Sequence, residues 1–180
     1  YRIVETLPQE REWLGQIHLA MAPTKMMDRT EWFAEKATEI GIDEFSFLDC
    51  KLSERHQIRV DRMERIVTGA AKQSRKAWMP KINEMQAFKD FIKQERPGEK
   101  YIAHCYDEIP REELSRLLLN GPPEAKKPEA VTILIGPEGD FHREEVEMAL
   151  NNGYRSISLG TSRLRTETAC LAAVMTARLA

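Results

Sequence analysis

The chain has 180 residues and a net charge of −2, from 27 Lys plus Arg and 29 Asp plus Glu. A hydrophobic fraction of 42% with so small a net charge excludes an intrinsically disordered protein, and only 9 Gly and 9 Pro exclude a fibrous repeat. No apolar run approaches the roughly 18 residues that a membrane span needs. The composition therefore predicts one globular domain with no membrane partner.

Three cysteines, Cys50, Cys105 and Cys170, are widely spaced and odd in number. This pattern argues against a disulfide framework or a zinc site and is typical of reduced thiols in a cytoplasmic protein. The N-terminus shows no secretory signal and lacks an initiating Met. We therefore expect residues 1–13 to be the tail of a preceding domain plus a charged linker, and residues 14–180 to form the main domain.

Strands and helices alternate along the chain. The hydrophobic periodicity predicts strands at residues 15–22, 44–48, 100–105, 131–135 and 156–159. It predicts helices at 29–40, 58–77, 86–93, 111–120, 142–152 and 166–180, with Asp28 as a helix cap and a loop at 121–128. Two strands, at 17–22 and 131–135, are almost continuously apolar, which is typical of strands buried on both faces of a parallel sheet. The sequence therefore predicts an α/β fold with a mostly parallel sheet and helices on both faces.

The last predicted helix is apolar on every side. Between residues 166 and 180 only Glu167 and Arg178 are charged. A helix without a polar face is buried all round. We therefore expect it to run through the body of the protein or to be covered by a second subunit.

The segment IGPEGDF (residues 135–141) lies between a buried strand and a helix. In open α/β sheets, ligands bind outside the carboxyl ends of the strands. Gly136 and Gly139 would let the backbone approach a ligand or turn sharply. The alternative is a tight turn in which Asp140 caps the next helix. Dinucleotide and phosphate-loop motifs are absent from the sequence.

A second segment, SLGTSRLRTETA (residues 158–169), also leads from a strand into a helix. Glu167 in the first turn would favour the helix dipole, and neighbouring threonines could cap it. Capping does not account for Arg163 and Arg165, because positive charge is disfavoured at a helix N-terminus. Their position indicates an anionic or polar ligand.

Residues 51–81 carry nine positive and three negative charges in an otherwise acidic chain. This asymmetry favours contact with a nucleic-acid backbone, and the alternative is a solvated helix face. The basic residues singled out are Arg59, Arg62, Arg65, Arg75 and Lys76. The histidines show no metal-ligand spacing, so no metal is expected. His104, at the end of a strand, could contact a ligand or be a hydrogen-bonded histidine near the core.

The two loops and the last helix together resemble one known family. LIGPEGDF (134–141) followed by GYRSISLGTSRLRTETACLAAV (153–174) is similar to the C-terminal signature of the ribosomal RNA small subunit methyltransferase E family. KATEIG (36–41) matches that family's Lys-Ala-Thr-Glu-Leu-Gly helix. The resemblance covers residues 15–180. In two departures, Asp140 stands where most members have a second glycine, and Lys76 where many have an arginine.

The resemblance implies a SPOUT methyltransferase, with a C-terminal trefoil knot, a homodimer and an N-terminal RNA-binding β-barrel domain that would precede residue 14. It implies transfer of a methyl group from S-adenosylmethionine (SAM) to uridine N3 of small-subunit (16S) ribosomal RNA. The alternatives are a SPOUT enzyme acting on another RNA position, or a non-catalytic RNA- or nucleotide-binding module.

Site residues follow from the same resemblance. Arg165 is expected to stabilise the uridine anion, and Arg163 joins the RNA-binding set. Glu138 and Glu167 are candidate bases, and the alternative for each is to fix a loop by capping. The cofactor-binding residues are expected to be His104, Ile135, Gly136, Pro137, Gly139, Leu159, Gly160, Leu164, Arg165 and Thr166.

Overall fold

The computed structural model describes residues 2–6, 8, 15–119 and 128–180. Most of the predicted tail and linker, and nearly all of the predicted 121–128 loop, lie outside these residues. The strands are β1 (Gln16–Met21), β2 (Glu44–Asp49), β3 (Lys81–Ala87), β4 (Glu99–Ala103), β5 (Glu112–Glu113), β6 (Ala130–Ile135) and β7 (Arg155–Ser158). The helices are α1 (Met27–Ile40), α2 (Val60–Gln73), α3 (Phe88–Phe91), α4 (Leu114–Leu119), α5 (Arg143–Asn151) and α6 (Thr166–Leu179).

Within the described part of the chain, seven strands form one sheet in the order β3-β2-β1-β6-β4-β7-β5. Every strand pair is parallel. All six residues of β6 are buried, as its continuous apolar sequence predicts. The predicted α/β class with a mostly parallel sheet is confirmed.

Helices cover both faces of the sheet. Alternate strand residues point to opposite faces, so Ile133 packs in one layer and Leu134 in the other. The first layer contains buried side chains of α1, α2, α4 and α6, and the second contains those of α3 and α5. The predicted arrangement of helices on both faces is therefore confirmed.

The prediction was wrong around β3. Residues 86–93 were expected to be helical, but β3 runs to Ala87 and α3 spans only Phe88–Phe91. Ile82 pairs with Phe45, and Met85 pairs with Phe47. Strand β3 therefore advances by three residues where β2 advances by two. This bulge disrupts the two-residue alternation that identifies a strand. Strand β3 is a half-exposed edge strand, and its pairing with β2, not its hydrophobic pattern, determines that it is a strand.

Helix termini also differ from the prediction. The N-cap of α1 is Met26, and Asp28 lies in the first turn. Helix α2 begins at Val60 and ends at Gln73, because Arg75 takes a left-handed conformation with φ of 55°. His142, not Asp140, caps α5 through a reciprocal arrangement with Glu145. Helix 111–120 is shortened to Leu114–Leu119 because two acidic residues form the edge strand β5.

The register of four strands aligns their carboxyl ends. Ile135 of β6 pairs with Met21 of β1 on one side and with Ala103 of β4 on the other. Ala103 pairs in turn with Ile157 of β7. The loops that follow these strands therefore leave the sheet at one level, although they are far apart in sequence.

Helix α6 is only partly covered by its own chain. It packs against α1, α4, β1 and β6 through a buried face that contains Cys170, Ala173 and Val174. The opposite side is less covered, and Met175 and Leu179 are exposed by 43% and 66%. The helix therefore does not run through the body of the single chain, and its coverage by a second subunit stays a prediction. Among the described residues, no helix is both long and apolar enough to cross a membrane.

Gly98 permits the close approach of β4 to β6. Its φ is +73°, and a Cβ atom there would lie 1.9 Å from the backbone oxygen of Ala130. Gly98→Ala should lower the free energy of unfolding by roughly 2–4 kcal/mol, because a backbone clash cannot relax cheaply. Gly69→Ala is the control, since nothing lies within 4 Å of the Cβ position on α2. Urea denaturation checks both variants, and a Gly98→Ala protein as stable as the wild type would contradict this packing.

Candidate functional site

Three loops meet at the carboxyl edge of the sheet. Residues 104–111 follow β4, residues 136–142 follow β6, and residues 159–165 follow β7. Because β4 lies between β6 and β7, the three loops are neighbours at the edge where ligands of parallel sheets bind. All the predicted cofactor-binding residues belong to these loops or directly adjoin them.

The loop after β6 is folded back on itself. Ile135, Gly136 and Pro137 are buried, and the N–H of Asp140 donates to the Pro137 oxygen at 2.9 Å. A Cβ on Gly136 would lie 2.8 Å from the Phe141 nitrogen. Gly136 is therefore required by the fold of the loop itself. Gly139 is exposed and has only ordinary contact distances around its Cβ position.

Glu138 ties two loops together. Its Oε1 accepts a hydrogen bond from the backbone N–H of Lys25, which follows β1, at 2.8 Å. The Lys25 side chain in turn forms an ion pair with Glu54 at 2.7 Å. This arrangement matches a loop-fixing carboxylate, one of the two roles that the sequence left open for Glu138.

The loop after β7 presents cationic side chains to solvent. Gly160 has φ of +100°, which favours glycine. Arg163 and Arg165 are exposed, and neither forms an ion pair with another described residue. Arg165 is the N-cap of α6, without a capping hydrogen bond from its side chain. The threonine capping considered from the sequence is therefore not observed.

Glu167 is the buried carboxylate of this region. Only 8% of the residue is exposed, and its Oε1 lies 3.8 Å from Nε of Arg29 on α1. Its Oε2 is buried with no hydrogen-bond partner among the described residues. An unsatisfied buried acceptor costs roughly 1–3 kcal/mol, or more when charged. Oε2 of Glu167 is therefore an acceptor that no described residue uses.

His104 is engaged within the protein. Its Nδ1 accepts from the N–H of Tyr106 at 3.2 Å, so the proton resides on Nε2, which donates to Ser156 Oγ at 2.9 Å. Burial lowers the pKa of His104. Both ring nitrogens are therefore used, which is the structural role that the sequence left open for this histidine.

The basic residues do not form one surface. Arg59, Arg62 and Arg65 line a pocket of about 400 Å³ near the start of α2. Asp61 pairs with Arg59 at 3.0 Å and with Arg65 at 2.6 Å, and Glu31 accepts from Arg62 at 2.8 Å. Much of the positive charge expected for nucleic-acid contact is thus neutralised.

Arg75 and Lys76 lie beyond the opposite end of α2. A 14-residue helix separates them from Arg59, which corresponds to about 21 Å at 1.5 Å per residue. Lys76 Nζ lies 5.7 Å from the centre of the Trp78 ring. The predicted RNA-binding set is therefore divided between the two ends of the helix.

Another pocket, of about 220 Å³, lies at the amino edge of the sheet and includes His18, Glu44 and Arg96. Arg96 donates to Nδ1 of His18, whose Nε2 therefore carries the proton and donates to Ser46, both at 2.9 Å. Burial lowers the pKa of His18 to about 4. The pocket shares no residue with the three loops. We place the candidate site at the carboxyl edge, where the predicted residues converge.

The sequence did not identify two residues that support the site, one just before α1 and one in its first turn. Lys25 and Arg29 carry no motif, and only the folded chain brings them to Glu138 and Glu167. Within the described residues, no group of three or more His, Cys, Asp or Glu side chains could hold a metal ion.

Comparison with known proteins gives the family. The sequence model of the RNA methyltransferase domain matches residues 11–178. Ribosomal RNA small subunit methyltransferase E from Mesomycoplasma hyopneumoniae is 31% identical over 174 residues, covering 94% of this chain and 72% of that protein. The Synechocystis protein of the same name is 28% identical over 170 residues, covering 93% of this chain. The chain spans 54% of the length of the Synechocystis relative.

Solved structures indicate the same family. A probable rRNA-methyltransferase from Porphyromonas gingivalis is 40% identical, with a TM-score of 0.82 over 92% of this chain and 68% of that one. A methyltransferase-type protein from Legionella pneumophila, solved with bound SAM, is 26% identical, with a TM-score of 0.72 over 91% of this chain and 66% of that one. The chain therefore belongs to the ribosomal RNA small subunit methyltransferase E family.

Proposed function

We propose that this chain is the catalytic domain of a SAM-dependent enzyme that methylates N3 of a uridine in small-subunit ribosomal RNA. The observation that carries the proposal is the convergence of the loops after β4, β6 and β7 at one edge of the sheet, where Arg163 and Arg165 are exposed beside the buried Glu167. The names of the relatives and the SAM-bound Legionella structure support the same activity. Because ribosomal RNA would be the substrate, a cytoplasmic location is part of the proposal.

SAM would lie among the three loops at the carboxyl edge. Bound there, it supplies a methyl group carried on a positively charged sulfur. The backbone near Gly136, Gly139 and Gly160 allows close approach, and Pro137 and Thr166 form the buried ends of two loops. Ile135, Leu159 and Leu164 provide apolar contact. His104 would adjoin the cofactor without a side-chain hydrogen bond to it, because both ring nitrogens are already hydrogen-bonded.

Methylation of uridine N3 requires removal of the N3 proton, since this nitrogen is protonated at neutral pH. A carboxylate within hydrogen-bond reach can accept that proton. Oε1 of Glu138 already holds the backbone of Lys25, whereas Oε2 of Glu167 is buried without a partner among the described residues. We therefore assign the base to Glu167 and a loop-fixing role to Glu138. Arg165, which lacks an internal ion pair among the described residues, would stabilise the developing uridine anion.

The proposal includes the trefoil knot and the homodimer of SPOUT enzymes. Strand β6 follows β4 and β5 in the chain yet lies between β1 and β4, a strand order that supports this part of the proposal. On α6, Leu171 is half-buried and Met175 and Leu179 are exposed on the side away from the core. A second subunit would cover this apolar stripe.

RNA would contact the rim of the three loops. Arg163 is exposed without an ion pair among the described residues, and the arginines at the start of α2 lie on the same side of the sheet as these loops. Arg75 and Lys76 would contact a more distant part of the RNA. We also propose that an RNA-binding β-barrel precedes residue 14, by analogy with the family.

The first prediction tests the cofactor loop. Gly136→Ala should weaken SAM binding by about tenfold or more, because the added carbon displaces the loop backbone. Calorimetry measures the affinity, and Gly69→Ala on α2 is the control. A Gly136→Ala protein that binds SAM like the wild type would remove this loop from the site.

The second prediction separates the two carboxylates. Glu167→Gln should slow methyl transfer by about 100-fold or more, the usual contribution of a general base, while SAM affinity stays within threefold, or about 0.7 kcal/mol. Glu138→Gln keeps an oxygen that can accept from Lys25 and should change the rate little. Single-turnover transfer of labelled methyl groups measures both rates. The reverse pattern would move the base to Glu138.

The third prediction concerns RNA binding. RNA binding weakens as salt is added, and the slope of log K against log salt concentration measures this dependence. Arg163→Gln should make this slope shallower by about 0.7–0.9 for each phosphate that the side chain neutralises in the wild type. Asp61→Asn frees Arg59 and Arg65 from their ion pairs, and it should make the slope steeper if these arginines contact phosphate. Filter binding across a salt series measures the slopes. An unchanged slope for Asp61→Asn would leave the arginine pocket as a solvated surface.

The fourth prediction concerns assembly. Met175→Glu introduces a charge into the apolar stripe of α6 and should convert a dimer into a monomer, as measured by light scattering. Met79→Glu is a matched control, because Met79 is 52% exposed elsewhere. A wild-type protein that is monomeric at micromolar concentration would contradict the dimer.

A further inference from the structure

We infer that Asp140 is a positioning residue that joins the loops after β4 and β6 and thereby sets the width of the cofactor site. This inference rests on the proposed SAM site. Asp140 follows the GPEG segment, and its carboxylate reaches the first residues after β4. It supplies a bond between the two loops that a glycine at this position lacks.

Both carboxylate oxygens are used. Oδ2 accepts from the backbone N–H of Cys105, across 35 residues of sequence, at 2.7 Å. Oδ1 accepts from the N–H of Phe141, also at 2.7 Å. Hydrogen bonds to an ionised acceptor are short and roughly twice as strong as neutral ones. Asp140 therefore fixes its own loop and the neighbouring loop at once.

The peptide group that Asp140 holds is also held from its other side. The His104 oxygen belongs to the same peptide as the Cys105 N–H, and it accepts from Nη1 of Arg111 at 2.8 Å. Arg111 is itself paired with Asp107 at 2.6 Å. The orientation of this peptide, just beyond the end of β4, is thus fixed at both its C=O and its N–H.

The backbone explains why aspartate can occupy this position. Asp140 has φ of 71°, in the left-handed region that favours glycine. Among other residues, Asp and Asn tolerate this region best. The chain therefore keeps the turn that glycine would make and gains a bond between loops.

The Cys105 thiol offers an independent reporter of Asp140. Burial together with the charge and hydrogen bond of Asp140 raises the pKa of Cys105, while Arg111 and Arg163 act in the opposite direction. Removal of the carboxylate should therefore favour the thiolate. Cys50 and Cys170 are buried, whereas Cys105 is exposed, so alkylation of the folded protein reports mainly on Cys105.

Asp140→Gly and Asp140→Asn test the inference. Both substitutes tolerate the φ of this position, but glycine removes both acceptors and asparagine retains one oxygen. Glu108→Gln is the matched control, because it removes a negative charge from the loop after β4, and Glu108 pairs with Arg143 instead.

For Asp140→Gly we expect amide exchange at Cys105 to accelerate and SAM affinity to fall, each by about tenfold, the effect of removing one hydrogen bond to a charged group. The Asp140→Asn protein should have an exchange rate at Cys105 and a SAM affinity between those of the Asp140→Gly and wild-type proteins. The pH profile of Cys105 alkylation should shift to lower pH in Asp140→Gly, while Glu108→Gln keeps the wild-type values.

If the wild-type protein binds SAM, either of two results would overturn the inference. Wild-type exchange at Cys105 in Asp140→Gly would show that the carboxylate does not hold the loop. Faster exchange with unchanged SAM affinity would show that the carboxylate does not position the cofactor site. A wild-type protein that fails to bind SAM would overturn the proposed function as well, and the Cys105 exchange data distinguish that failure from the absence of the bond between the loops.

Discussion

The position of β6 between β1 and β4 determines where every part of the candidate site lies. Its six buried residues pair in parallel with both neighbours, and their side chains fill the layers on both faces of the sheet. Because Ile135 is in register with Met21 and Ala103, the loops after these strands begin at one level. A slip of one residue would turn each β6 side chain toward the neighbours of the opposite face, so the packing of specific side chains on both faces holds the register.

Carboxylates then fix the loops at this edge by accepting backbone N–H groups. Glu138 accepts from Lys25, Asp140 from Cys105, and Glu145 from both Lys51 and His142. Three of these four bonds join segments that are far apart in sequence, and the fourth caps α5. They hold the loops before any ligand arrives, which is the positioning that the proposed methyl transfer most requires. Glu167 differs, since one of its oxygens is buried without a partner among the described residues. This difference separates the proposed base from the carboxylates that organise the loops.

Much of the fold could be predicted because burial leaves a local pattern. The continuous apolar runs of β1 and β6 and the stripe on α2 are direct consequences of the layers that they contact. Strand β3 was missed because a bulge against β2 interrupts its alternation. The predicted location of the candidate site followed from two glycine-containing loops after strands. The roles of Glu138 and Glu167 did not, because their partners Lys25 and Arg29 lie more than a hundred residues away. The positive charge that residues 51–81 offer to RNA was overestimated for the same reason, since Glu31 on α1 neutralises Arg62.

The chemical position of the added methyl group tests the proposed activity most directly. Small-subunit ribosomal RNA from a strain that lacks the gene can be incubated with the purified protein and SAM, digested, and examined by mass spectrometry. We expect one added methyl group, at N3 of a single uridine, and we expect Glu167→Gln to reduce its yield greatly. A methyl group on a ribose 2′-hydroxyl or another base, or no methylation by a protein that binds both SAM and RNA, would contradict it.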